Sequence, residues 1–581
     1  MRVKQLLYDL SGRVLRRSIN LSLYSSLLGI FSFVATGRKL QNKLRAPGYC
    51  KMMSKMKPKK LMIIGGSMFG FGFIVLMIIF PPIVKMQIKR QVSLRHGTEM
   101  RDLWTDFPLP LDFKIHLFNV TNPNEIMAGQ KPIVHEVGPF FYDEYKQKVD
   151  QVDRDEDDSI EYRVKTTWYF NPARSNGLTG EEEIVFPNIL ILSMVKMVLA
   201  EQPSAMGLIN KGVDSIFKKP QTVFVKAKVR DILFDGLFVD CRVKDFAGTA
   251  ICSQLKEKGE SLVPLDDDQY LFSLFGKKNG SVDPATIRVL RGIKNYRDTG
   301  RVIEFNGEPM LSIWADDRCN QFNGTDSTIF PPLMTEQDDI VSFSPEICRS
   351  LSAPFQYKSK VKGVNTYHYE GNFGDMKTNP LDKCYCPTPE TCFDKDLLDL
   401  NKCVGAPLVG SQPHFLGTEE KYLQLVGGLN PNKEDHDLSM DFEPMTATPL
   451  SAHKRLQFNM FLSKVEKFKL MKNFPECLFP FFWVDEGILL GDEFVKKLKV
   501  VFALLTVVKV LKYITIFGGI ITMGMGGFMM YKEKDKNSMD VTKVTPEMRN
   551  GKDDEKKWPT QVNVSTIQTQ SAAVPPNLDM N

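Results

Sequence analysis

Histidine is scarce in this chain, and the seven present among 581 residues (His96, His116, His135, His368, His414, His436 and His453) are dispersed. There is no HExxH pair, no GxSxG elbow and no P-loop. The motifs that place a metal, a nucleophile or a nucleotide phosphate are therefore missing, and no enzyme is expected. A lone histidine is usually structural. No dense Lys/Arg stripe interleaved with aromatics occurs, and a net charge of +6 is small for this length, which sets nucleic acid aside as a partner. No internal repeat is evident.

What is present includes two uncharged apolar blocks. Residues 61–84 (LMIIGGSMFGFGFIVLMIIFPPIV) exceed the roughly 20 apolar residues that cross a hydrocarbon core of about 30 Å. Residues 513–531 (YITIFGGIITMGMGGFMMY) form the second block, stopped by Lys532, Glu533, Lys534, Asp535 and Lys536. The apolar run 494–510 before it carries Lys496, Lys497, Lys499 and Lys509, which are costly in lipid unless they snorkel. It reads as a juxtamembrane helix, with the span at 509–531. Basic residues flank the first span on both sides, so charge alone orients it weakly. The sequons at Asn119, Asn279 and Asn323 all lie between the spans, where glycosylation requires lumenal exposure. Eight of the ten cysteines (Cys241, Cys252, Cys319, Cys348, Cys384, Cys386, Cys392, Cys403) also cluster there, with Cys477 further on, as in an oxidising compartment. The loop 85–508 is accordingly placed outside and both termini in the cytosol, leaving the Asn20 and Asn563 sequons unused.

Residues 1–50 are arginine-rich and acid-poor, and LSLYSSLLGIFSFVA within them resembles a targeting sequence. The preferred reading is an extension upstream of a translation start at Met52, Met53 or Met56, because 51–60 already makes a short basic cytosolic tail. Cys50 is read as a free cytosolic thiol. The tail 532–581 mixes charge with Pro, Ser, Thr, Asn and Gln and is expected to be disordered.

Within the loop, period-2 runs such as Phe113-Lys-Ile-His-Leu-Phe-Asn-Val, Ile160-Glu-Tyr-Arg-Val, Thr286-Ile-Arg-Val-Leu and Arg455-Leu-Gln-Phe-Asn-Met-Phe-Leu predict strands. Asn279-Gly280 and Asn306-Gly307 supply turn chemistry. Residues 181–219 lack alternation and predict a helical insertion in a mainly antiparallel β domain. The acidic run Asp153 to Asp158 fails as an EF-hand, since Asp158 and Val164 stand where Gly and Glu are needed; it reads as a solvated loop. Cys384-Tyr-Cys386 with Cys392 and Cys403 has the wrong spacing for zinc knuckles. Disulfides are favoured, with no metal and no cofactor. Six cysteines from Cys319 to Cys403 allow fifteen pairings.

Several short motifs carry a resemblance. Phe118-Asn-Val-Thr-Asn-Pro123, Glu136-Val-Gly-Pro139, Cys319-Asn-Gln-Phe-Asn-Gly-Thr-Asp326, Phe330-Pro-Pro, Ile347-Cys-Arg-Ser350, Pro413-His-Phe415, Gly428-Leu-Asn-Pro-Asn432 and Lys454-Arg-Leu-Gln-Phe-Asn459, between two terminal spans, resemble the class B scavenger receptor family over residues 51–531. Leu178-Thr-Gly-Glu-Glu-Glu-Ile184 and the extra Cys241 and Cys252 resemble its insect sensory neuron branch, type one in particular. The resemblance implies an α+β chain: two transmembrane helices flanking an antiparallel β-barrel-like ectodomain, with an apical helical bundle at 181–219 and a hydrophobic tunnel. It implies the disulfides Cys319 with Cys384, Cys348 with Cys403, and Cys386 with Cys392; Cys241 with Cys252 is added as a fourth, leaving Cys477 unpaired. The lysine that meets fatty-acid carboxylates in the family falls at Lys211. The implied function is an olfactory co-receptor in the plasma membrane of a sensory dendrite. It takes fatty-acid-derived pheromones from carrier proteins and passes them to membrane lipids and an odorant receptor complex. The alternative is a scavenger or lipid-uptake receptor in non-olfactory tissue.

Overall fold

The computed structural model describes residues 56–258, 261–388 and 390–541. The 1–50 extension, Cys50, the Asn20 and Asn563 sequons and the tail beyond 541 lie outside them. Two helices are long and apolar enough to cross a membrane, Pro58–Val92 and Asp492–Lys536. In the first, Phe71–Ile79 has π geometry, and the Phe80 N–H donates to the Val75 carbonyl. Pro81 and Pro82 follow at once. Lacking N–H groups, they cannot serve the carbonyls of Met77 and Ile78, and a widened turn is how a helix accommodates such a break. The juxtamembrane helix expected to lead into the second span is continuous with it in one helix, Asp492–Val541. No Gly or Pro interrupts 492–517, so nothing in the backbone ends the first part before the second begins.

The described residues fall into two bodies, the smaller comprising 56–69 and 517–541. In it the helices meet backbone to backbone at glycines. A Cβ on Gly65 would lie 2.6 Å from the Met523 nitrogen, and one on Gly519 2.6 Å from that of Phe69. Small residues allow this approach where no hydrophobic effect drives helices together in lipid.

The larger body, 70–516, is built on a twelve-stranded sheet whose pairings are antiparallel. Its path runs Val302–Phe305, Ile287–Leu290, Ser159–Phe170, Val134–Arg154, Leu111–Val120, Cys477–Leu489, Thr448–Leu462, Leu438–Glu443, Val364–Gly371, Phe355–Val361, with Leu397–Asp399 and Val409–Ser411 joined at its side. The two ends of the path do not pair. The sheet is therefore open, which corrects the barrel-like expectation: local alternation specifies strands and faces, whereas closure depends on pairing between remote edges. The first strand after one candidate span lies beside the last strand before the other, Asp112 opposite Gly487. One face of these central strands carries Phe113, Ile115, Tyr142, Trp168, Val484, Phe482 and Phe458, all within or packed on the main apolar core.

Three helices, Ile189–Glu201, Met206–Ile216 and Phe246–Lys258, share the main apolar core with these strands. Residues 181–219 are not helical throughout, because Glu183–Pro187 is a strand paired with Phe224–Lys228. The third helix, which the periodicity did not announce, packs on Gly212, where a Cβ would meet Ala247 and Ile251 within 3 Å. Its Cys252 is joined to Cys241. The structure also joins Cys319 with Cys384, Cys348 with Cys403 and Cys386 with Cys392, while Cys477 is free and buried. Residues 153–157 of the acidic run are exposed, with 155–158 forming a turn as expected, and only Asp158 is buried. Asp153 is held by Arg101 and Arg291, and Asp158, buried, accepts from the Ile293 and Lys294 amides. Cations distant in sequence neutralise it.

Candidate functional site

Two features of the larger body bring together residues that the sequence keeps apart. The first is a polar cluster inside the apolar core. Glu136 receives a hydrogen bond from His116 at 2.5 Å and another from His414 Nε2. His116 sits at a register shift in its strand, and its ring lies on Gly138, where a Cβ would be 2.9 Å from Cγ. The glycine of Glu136-Val-Gly-Pro139 thus makes room for the histidine. The His116 ring stacks on Trp483 at 3.8 Å and the His414 ring on His436 at 4.3 Å. His414, itself in a left-handed conformation, donates its amide to Gln457 Oε1 at 2.7 Å; Gln457 donates to Asn459, and Asn459 to Ser411. Four of the short motifs therefore converge on one network.

Glu136, His414 and His436 present side-chain atoms within 4.8 Å of one another, close enough to suggest a metal site. The hydrogen bonds argue otherwise. His414 Nδ1 accepts from the Asn430 amide at 3.0 Å and His436 Nδ1 from the Asn432 amide at 2.9 Å. Each neutral ring then carries its proton on Nε2. An Nε2–H donates to a carboxylate and offers no lone pair to a cation. The cluster is a hydrogen-bonded anchor that ties the 428–436 loop to the sheet. Burial works to raise the Glu136 carboxyl, but the His116 and His414 hydrogen bonds outweigh it and hold the acid below the usual carboxylate range.

Burial, with His414 alongside, lowers His436 to about 4. An unfolded histidine titrates near 6.5, so on acidification the unfolded chain takes up this proton first. Stability is expected to fall from about pH 6.5 to 4, by up to about 3 kcal/mol. The check is the melting temperature of the full chain across that window: His436→Phe should flatten the slope, and equal slopes would refute the assignment.

The second feature is the apolar interior under the helices. Phe186, Ile189, Phe217, Val225, Phe238 and Phe272 are among the side chains around a cavity of about 160 Å³. Lys211 does not line it. On the Met206–Ile216 helix the buried face is Met206, Ile209, Gly212, Val213 and Ile216, and Lys211 is exposed. Sequence reasoning missed Lys196. It lies half-buried on the neighbouring helix with no ion pair among the described residues, and burial alone lowers its ammonium below the lysine range. Ser193, one turn earlier, has a buried Oγ without a hydrogen-bond partner. A cation in an otherwise apolar helix, ILILSMVKMVLAE, was the available signal.

The predicted acceptor asparagines are placed differently. Asn119 Oδ1 accepts from the Val185 amide, Asn279 pairs both ends of its amide with the Trp168 backbone, and Asn323 is exposed, with no side-chain hydrogen bond among the described residues.

Comparison with known proteins gives this geometry a family. The model of the CD36 family matches residues 63–530. "Sensory neuron membrane protein 1" of Apis mellifera is 64% identical over 524 residues, 90% of this chain and all of that protein. The proteins so named from Manduca sexta and Anopheles gambiae are each 42% identical, over 85% and 82% of this chain and 96% and 87% of their own lengths. Two candidate spans at the ends fit a membrane receptor of this kind. The chain belongs to the CD36 family, that of the class B scavenger receptors, in its insect sensory neuron membrane protein branch.

Proposed function

We propose that this receptor is an olfactory co-receptor that captures lipophilic, fatty-acid-derived pheromones and passes them through its ectodomain to the membrane and an odorant receptor. The observation that carries the reading is one continuous apolar core reaching from the helices around the cavity down the inner face of the sheet. Each CH₂ of a long chain gains roughly 0.8 kcal/mol on leaving water, so a covered apolar route lowers the barrier to delivery without covalent chemistry. The loop lies outside the cell, with glycans at Asn119, Asn279 and Asn323 and both termini in the cytosol. Pheromone carrier proteins hand over the cargo.

Lys211 serves as the first contact for a carboxylate head. Because it is exposed, its ion pair is worth about 1 kcal/mol or less, and Lys211→Ala should weaken binding of a long-chain fatty acid by roughly two- to fivefold. Unchanged binding would remove the site. The whole reading is tested by recording pheromone responses from sensory neurons that lack the protein, where slower and smaller responses are expected. Unchanged amplitude and kinetics would leave the lipid-uptake role in other tissue as the better account.

A further inference from the structure

Apart from the helices and their cavity, the larger body carries a second concavity, a groove of about 210 Å³. Phe330, buried, lines it together with the two prolines that follow. The amides of Leu333 and Met334 donate to the Met445 and Pro444 carbonyls at 3.1 and 2.7 Å, which holds this stretch in place. Gly324 and Thr325 line the groove too. Gly324 has φ +81°, and a Cβ on it would lie 2.0 Å from the Val341 carbonyl oxygen. Val302 donates its amide to the Gly324 carbonyl and Thr325 donates to that of Val341, each at 3.0 Å. Both residues are therefore fixed against neighbouring strands.

Asn323 stands just before them. Its amide donates to Ser350 Oγ at 3.0 Å, while its side chain is exposed with no hydrogen bond among the described residues. The sequon Asn323-Gly324-Thr325 thus has its acceptor in solvent and its other two residues in the lining of the groove. Consecutive Cα atoms are about 3.8 Å apart, so a glycan on Asn323 begins beside it.

The lining suits a sugar. Arg297 Nη1 stands 3.8 Å from Asp338, beyond hydrogen-bond distance. Asp339 is exposed and makes no ion pair or side-chain hydrogen bond among the described residues. One set of donors and one of acceptors are left unspent. The half-buried ring of Tyr296, under Lys89 Nζ at 3.8 Å, adds an apolar face. Arg297 and Arg301 against Asp338 and Asp339 leave no net charge to select an ion, whereas a ring of hydroxyls donates to one group and accepts from the other. Affinity need not be high. A short tether gives an effective concentration in the millimolar range, so contacts too weak to gather a free sugar hold an attached one.

We propose that the glycan of Asn323 folds back into this groove, its N-acetylglucosamine rings lying on Tyr296 and their hydroxyls bonding Arg297 and Asp339. The inference rests on the loop lying outside the cell, and it gives one of the three sequons a binding site on the protein itself. Seated there, the sugars tie the 296–301 segment to the 324–341 segment and cover the groove against other partners.

The test uses the full chain, made in cells that add only high-mannose glycans and purified folded in phosphatidylcholine nanodiscs. Peptide mass spectrometry reads which of Asn119, Asn279 and Asn323 carry sugar, and then how fast endoglycosidase H releases each. Tyr296→Ala and Asp339→Ala should each speed release at Asn323 by about fivefold or more, with the rates at Asn119 and Asn279 unchanged. Tyr296→Phe keeps the ring and should stay protected. Asp339→Ala, at an exposed and unpaired position, carries the comparison if Tyr296→Ala does not fold. Equal release at Asn323 in the wild type and both alanine variants would overturn the seat and leave the outward loop standing. So would a bare Asn323 with sugar at either other sequon. No sugar at any of the three would overturn the outward placement, and the seat with it.

Discussion

Gly428→Ala is expected to keep the protein from reaching the cell surface in folded form. Gly428 has φ +93°, and a Cβ there would lie 1.8 Å from the Val134 carbonyl oxygen. That oxygen belongs to a strand residue whose own amide is bonded to the Gly427 carbonyl at 2.9 Å, so neither side yields. The next residues, Asn430 and Asn432, supply the amides that set His414 and His436, and displacing the loop would release both rings. Strain and lost hydrogen bonds together should exceed about 4 kcal/mol, a large part of the roughly 5–15 kcal/mol that holds a folded domain. Surface biotinylation of the full chain reads this directly. Gly427→Ala is the control, since a Cβ there meets nothing closer than 3.6 Å and should be tolerated. Normal surface levels of the Gly428 variant would refute the close approach.

Glu136→Ala carries the second large effect. It would leave the His116 and His414 donors facing an apolar interior with no acceptor, a loss of about 3–5 kcal/mol. Glu136→Gln keeps an acceptor oxygen but no charge, and a loss of about 1–2 kcal/mol is expected. The two variants should separate in thermal melts of the purified chain, with alanine several degrees below glutamine. Were both to melt with the wild type, the cluster would not be an anchor. A stabilising response of the unsubstituted chain to zinc, lost in the glutamine variant, would revive the metal reading.

Some of this was legible beforehand. Uncharged runs of span length show themselves locally, and so does the period-2 alternation of strands such as Leu111–Val120. The crowding of eight cysteines between 241 and 403 marks the disulfide region in the same way. Other features misled for a physical reason. Glu183–Pro187 lacks the alternation of a half-solvated strand because Ile184, Phe186 and Pro187 are buried in succession with Val185 half-covered. The Phe246–Lys258 helix hid behind a weakly amphipathic sequence, FAGTAICSQLKEK, whose place is set by Gly212 and the Cys241–Cys252 bridge.

The sequence by itself determined that this is a two-span chain with an antiparallel, disulfide-bonded loop and a family kinship carried by short motifs, because each of these is written in residues close together. Only the tertiary structure decided what the motifs are for. Glu136 and His414 meet across 278 positions, Asp158 meets Arg291, and Lys146 meets Glu486. Buried charge and buried imidazole are stable only beside partners, and in an antiparallel sheet whose first strand lies against its last those partners come from opposite ends of the chain. The two spans thus take their meaning from the strands they flank, Leu111–Val120 after one and Cys477–Leu489 before the other, since that pairing puts Glu486 and the side chains of Phe113 and Tyr142 on one face.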